Sequence, residues 1–186
     1  MKPGGGKIKG GNFERSIAKH LSLWYSQGKR EDLFWRSSMS GGRATVSKIK
    51  LSAVAGDICA TAGEGAGFTD KWYIECKHVA NLNLQSWLLK KAGPIAGWWT
   101  TAVLRSNTHN KYPMLILKQN LLDTMVVARL THIGIGWQDF CPDPLLILQD
   151  DTSLGNEMGL YWFKELFPMP EKTRAPRPRI RPTPNR

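Results

Sequence analysis

The sequence predicts an α/β protein with a central mixed β-sheet flanked by helices, and three observations predict it. Phe13, Ile17, Leu21 and Trp24 recur at spacings of 4, 4 and 3, the period of a helix with one buried face. The runs WYIECK (72–77), YPMLILKQ (112–119) and DTMVVARL (123–130) are apolar and read as strands. Between the first and second of these, LNLQSWLLKK and PIAGWWTTAVL read as helical, so strands and helices are interleaved along the chain.

At 186 residues, 41% hydrophobic and with eight Trp, the chain is long enough for one domain with a sizeable core. Residues 1–11, MKPGGGKIKGG, read as a flexible basic lead-in, and the first helix is expected from Asn12 as N-cap to Gly28 as stop. LFWRSS (33–38) reads as a first strand, followed by a Gly/Ser-rich basic loop. SAVAGDICAT and DKWYIECK read as two antiparallel strands joined by a GEGAG turn. LNLQSWLLKK should end at Gly93-Pro94. Residues 136–152 read as a Pro/Asp-rich connection, and NEMGLYWFKELF (156–167) as an amphipathic helix stopped by Pro168. RAPRPRIRPTPNR is too polar and Pro-rich to pack, so 171–186 is expected to be a disordered basic tail and 12–170 the folded domain.

The net charge of +11 sits at the two ends. Residues 1–50 hold 11 Lys and Arg against 3 Asp and Glu, residues 171–186 hold 6 against 1, and the middle holds 9 against 11. Basic ends around a slightly acidic body suit a nucleic acid better than a membrane surface. Cys59, Cys76 and Cys141 are odd in number and widely spaced, which argues for buried thiols in a reducing compartment. Cys76 and His78 alone do not complete a zinc site. There is no apolar run of membrane-spanning length and no apolar signal-peptide core, so a cytoplasmic protein is expected.

Glu75 and Lys77 stand two residues apart in an otherwise apolar strand. Alternation puts Tyr73, Glu75 and Lys77 on one face and Trp72, Ile74 and Cys76 on the other. If the GEGAG hairpin is symmetric about Ala66, Asp57 lies opposite Glu75 and Ile58 opposite Ile74. Two neighbouring carboxylates repel unless a cation neutralises them, and oxygen ligands select Mg²⁺, with Mn²⁺ as substitute. Such an ion can bind a phosphodiester oxygen and acidify a water, and Lys77 would orient that water. The bland alternative is a solvated Glu/Lys pair with an unrelated Asp nearby.

KGGNFER (9–15), WRSSMSG (35–41), AGDICA (55–60) and IECK (74–77) follow one another in an order that resembles the PD-(D/E)XK nuclease superfamily. They are most similar to the archaeal-type Holliday junction resolvases and their phage relatives, over roughly residues 8–120. The resemblance implies a restriction-endonuclease-like core. It also implies Glu14, Asp57 and Glu75 as metal-binding carboxylates and Lys77 as the catalytic lysine. Lys9, Arg15, Arg36, Ser40, Arg43, Gln85 and Lys118 are the corresponding candidates for DNA contact or support of the site. Gly56 stands where the superfamily has its proline.

These readings converge on a Mg²⁺-dependent DNA endonuclease whose expected substrate is a four-way junction and whose expected assembly is a homodimer, since resolution needs two symmetric cuts. Another nuclease of the same fold, and a non-catalytic nucleic-acid-binding protein, are the alternatives. Trp98, Trp99, Trp137 and Trp162 are expected chiefly in the core, and Asp139, Asp143, Asp150 and Asp151 as turn caps.

Overall fold

The computed structural model describes residues 5–37, 54–133, 142–152 and 156–170. The chain runs α1 (Gly5–Tyr25), β1 (Phe34–Arg36), β2 (Ile58–Ala60), α2 (Gly63–Thr69), β3 (Trp72–Val79), α3 (Leu84–Lys90), α4 (Pro94–Thr108) and β4 (Tyr112–Gln119). It continues through β5 (Met125–Arg129), α5 (Leu130–Ile133), β6 (Leu146–Gln149), β7 (Glu157–Trp162) and α6 (Phe163–Leu166).

The central sheet has the order β3-β4-β5-β7-β6. β3 and β4 are parallel, joined through α3 and α4, while the β4/β5, β5/β7 and β7/β6 pairs are antiparallel, so the sheet is mixed. Because side chains alternate across a strand, the sheet carries a core on each face. One face sets Trp72, Ile74, Met114, Ile116, Val126 and Ala128 against Phe13, Ile17, Ala18 and Leu21 of α1. The other sets Leu115, Leu117, Met125 and Val127 against Trp87 of α3 and Ile95, Trp99 and Val103 of α4. Burial on both faces explains why β4 and β5 read as continuous apolar runs rather than alternating ones.

The α1 stripe is as its spacing predicts, with Trp24 partly buried beside the same core. The helix begins at Gly5, however, so Asn12 lies within it rather than capping it. At its other end the Gln27 N–H bonds Trp24 O and the Gly28 N–H bonds Leu23 O, the pattern of a Schellman stop.

Three expected elements differ. GEGAG is not a turn: Gly63–Thr69 is helical, and β2 pairs antiparallel with β1, not with β3. A side chain at Gly65 would meet a Phe34 ring carbon at 2.9 Å and the Leu33 carbonyl at 3.0 Å, so this glycine serves close packing. The LLIL connection is edge strand β6, and NEMGLYWFKELF is strand β7 followed by the single turn α6. β7 is covered on both sides by sheet neighbours, which overrides its helix-like spacing. Trp99 is buried and Trp98 and Trp162 pack against the core, while Trp137 lies outside the described residues. No described helix is long and apolar enough to cross a membrane.

Candidate active site

β3 lies at one edge of the sheet and carries the expected split of its side chains. Trp72, Ile74 and Cys76 belong to the α1-side core. Tyr73 packs with Ala102 of α4, so Glu75 and Lys77 share the α4 side. Glu75 is only 6% exposed. Its carboxylate accepts from Lys77 Nζ at 2.5 Å and from the Tyr73 hydroxyl at 3.2 Å, and Arg105 Nη1 stands 3.9 Å away. Burial pushes the Tyr73 phenol up to about 12, with Arg105 opposing and the Glu75 charge adding, so Tyr73 stays a donor. A buried carboxylate is tolerated here because it is hydrogen-bonded and paired.

Asp57 reaches β3 by a route other than a hairpin. Its N–H bonds the Ile74 carbonyl at 2.7 Å, and its Oδ2 accepts the Cys76 N–H at 2.8 Å. One residue thus fills two edge positions of β3, with its carboxylate taking the place of a main-chain carbonyl. It stands opposite Glu75, as expected, although the strand pairing behind that expectation is absent. The Ser37 N–H bonds the Asp57 carbonyl at 2.8 Å, tying the segment to the end of β1. Gly56 makes the approach possible: its φ is +92°, and a Cβ there would lie 2.7 Å from the Ile74 carbonyl oxygen. Proline, fixed near φ −65°, cannot occupy that conformation.

Burial, and then the neighbouring Glu75 charge, push the Asp57 carboxyl up to about 6, against the pull of the Cys76 N–H and Lys77. Cys76 lies among these charges, and burial holds its thiol well above the usual range, as expected of an inert structural cysteine.

Glu14, on α1, is turned to a different partner. Arg36 Nε of β1 lies 3.1 Å from its Oε2. The guanidinium passes so close over α1 that a Cβ at Gly11 would meet Arg36 Nη1 at 2.9 Å. The second glycine of KGGNFER therefore leaves room for an arginine. Among the described residues, no three His, Cys, Asp or Glu side chains converge as a metal site, so Glu14, Asp57 and Glu75 do not form a three-ligand set here. The donor chemistry nevertheless fits a hard divalent ion. Mg²⁺ commonly takes only one or two carboxylates, the rest being water and phosphate oxygen. Asp57 beside Glu75 supplies two.

Of the remaining candidates, Lys9 and Lys118 line one cavity, and Arg15 and Gln85 do not join them there. Lys9 Nζ donates to Asn120 Oδ1 at 2.6 Å, exposed Arg15 to Asn12, and Lys118 to the Leu122 carbonyl. Gln85 is exposed on the first turn of α3. Ser40 and Arg43 lie outside the described residues. Arg105 was missed by sequence reasoning. It sits in the last turn of α4, and only the packing of α4 on β3 brings it to Glu75.

Residues 5–139 match the model of a family described as "Phage putative PDDEXK endonuclease". No curated protein and no solved structure matches the chain.

Proposed function

The chain belongs to this family of phage PDDEXK endonucleases, and from that premise we propose that it is a structure-specific, Mg²⁺-dependent DNA endonuclease that resolves four-way junctions. The observation that carries the reading is the β3 edge, where Asp57 stands opposite Glu75 with Lys77 hydrogen-bonded to the Glu75 carboxylate. Asp57 and Glu75 would hold the ion, which would supply positive charge for a phosphodiester oxygen and a more acidic water. Lys77, oriented by Glu75, places the attacking water in line with the scissile bond. Tyr73 and Arg105 hold the other oxygen of Glu75.

Glu14 is the proposed third carboxylate. Its partner Arg36 can exchange a carboxylate for a phosphate of the substrate, because a guanidinium matches either geometrically. Lys9, Arg15, Gln85 and Lys118, with Ser40 and Arg43, are the proposed DNA contacts, and the basic chain ends add sequence-independent affinity. The ordered motifs from Lys9 to Lys77 support a resolvase over other nucleases of the fold, and two symmetric cuts call for a homodimer.

The test is a labelled four-way junction incubated with the protein and Mg²⁺ beside a linear duplex, with Glu75→Ala as control. Paired cuts in the junction, lost in the variant, are expected. Equal cleavage of both substrates would sink the resolvase reading, and no cleavage of any DNA would sink the enzyme reading.

A further inference from the structure

A cavity of about 620 Å³ opens between α1, the C-terminal ends of β3 and β4, and α6. It lies on the α1 side of β3, next to the proposed catalytic corner but separate from it. Its size is that of a site for one small organic group. Of the rings of Phe13, His78 and Phe163 that line it, His78 is the partly exposed one, while Phe13 and Phe163 are 8% and 3% exposed; Phe13, with its ring 5.3 Å from that of His78, backs the histidine. Lys9, Lys118 and Lys164 also line it. Lys9 and Lys118 bond only neutral oxygens, of Asn120 and Leu122, while Lys164 stands 3.4 Å from Asp123. Among the described residues, Asp123 is the one carboxylate paired with any of the three, so the cavity keeps a net positive charge.

Aromatic surface beside ammonium groups is the combination that holds single-stranded nucleic acid, because rings stack on bases while cations track the phosphates. A base inside a duplex has both faces covered by its neighbours, whereas an unpaired base can lay one face on a protein ring. We propose that this cavity seats one unpaired nucleotide of the DNA substrate, its base against the His78 ring that Phe13 backs and its phosphates at Lys9, Lys118 and Lys164. His78 directly follows Lys77 on β3 but points to the opposite face of the strand, so the seated nucleotide lies across this edge strand from the phosphate that Lys77 addresses. This rests on the nuclease reading and adds to it a means of choosing distorted DNA.

The test uses the full chain in EDTA and two labelled duplexes, one fully paired and one with a single unpaired 2-aminopurine nucleotide. By fluorescence anisotropy the second should bind about tenfold tighter, with a drop in 2-aminopurine emission on binding. Ser16 is an exposed α1 residue lining the cavity. Ser16→Leu, which narrows it, should erase the preference while affinity for the paired duplex stays within about threefold, and Lys164→Ala should lower the preference. Equal affinity for the two DNAs, or a preference that survives Ser16→Leu, overturns the subsite. Cleavage of paired duplex with Mg²⁺, run alongside, separates the two readings. Cleavage without a preference overturns the subsite alone, and neither binding nor cleavage of any DNA overturns both.

Discussion

The carboxylate of Asp57 accepts the main-chain N–H of Cys76 at 2.8 Å, so the side chain proposed as a metal ligand also pairs with the edge of β3. The two roles conflict electrostatically. The edge bond holds the carboxylate beside buried Glu75, and burial with that like charge pushes Asp57 up to about 6. On the proposed reading, this corner trades the empty protein's stability for a place to hold a cation.

Asp57→Asn should therefore stabilise the protein at neutral pH while abolishing cleavage. An asparagine oxygen can still accept the Cys76 N–H, but it carries no charge to desolvate. With an unfolded value of 3.8 and a folded value of about 6, the native state binds the proton more tightly. Stability then falls as pH rises between those values, by roughly 3 kcal/mol in all, and stays reduced above them. Urea unfolding without divalent ions should show Asp57→Asn more stable by about that amount at pH 8 and nearly equal to wild type at pH 4. Equal stabilities at pH 8 would refute it.

The same proton should compete with a divalent cation. Below pH 6 Asp57 is largely protonated and offers no anionic ligand, whereas above it both carboxylates are available. The rise in Tm produced by Mg²⁺ over EDTA should be small at pH 5, grow through pH 6 and level off by pH 7.5. In Asp57→Asn it should be small throughout. A shift independent of pH would place the ion elsewhere.

What the sequence made legible follows from periodicity. The α1 stripe, the alternation along β3 and the bounds of β4 rest on local spacing, and each matches the structure. Gly65 shows where local reading stops: GEGAG has the composition of a turn, but this glycine lies in α2 and serves close packing against Phe34 and Leu33. The position of Asp57 opposite Glu75 was correct for a wrong reason: local pattern shows which residues share a face, but strand partners are set by packing at a distance. Arg36 beside Glu14, and Arg105 beside Glu75, are contacts of that distant kind, with no local signal.

Gly56→Ala should be destabilising well beyond an ordinary surface change. The left-handed backbone alone costs an alanine about 1–2 kcal/mol. The added Cβ would also lie 2.7 Å from the Ile74 carbonyl oxygen, which belongs to β3 and cannot swing aside. A loss of at least about 2 kcal/mol in denaturant unfolding is expected, with Gly56→Pro worse. Cleavage should fall even where the variant folds, since Asp57 is the next residue.

Gly11→Ala should show the opposite combination. Alanine favours a helix interior over glycine by about 1 kcal/mol, and Gly11 lies within α1. The atom its Cβ would meet, Arg36 Nη1 at 2.9 Å, is the far end of a flexible side chain that can move. Stability should hold or rise slightly while the guanidinium is displaced from Glu14, and DNA cleavage should fall if Arg36 serves the substrate. Unchanged cleavage with raised stability would remove Arg36 from the site.

Asp150 offers a control outside the proposed site. It is 3% exposed and accepts from Trp99 Nε1 at 2.9 Å and from Arg129 Nε at 2.6 Å, while Thr152 N–H caps the same carboxylate at 3.0 Å. Burial works against its ionised form, but hydrogen bonds from Thr152, Trp99 and Arg129 outweigh it together and lower the pKa. The sign follows: the folded state holds the charged form better, so this contribution is present above the unfolded value of 3.8 and lost as pH falls below it. Asp150→Ala strands Arg129, 9% exposed, and the Trp99 N–H without their acceptor, which should cost about 3–5 kcal/mol at neutral pH. The gap to wild type should narrow in acid. Measured with the Asp57→Asn series, it gives two aspartates whose variants shift stability in opposite directions, an outcome that a general effect of losing surface charge would not produce.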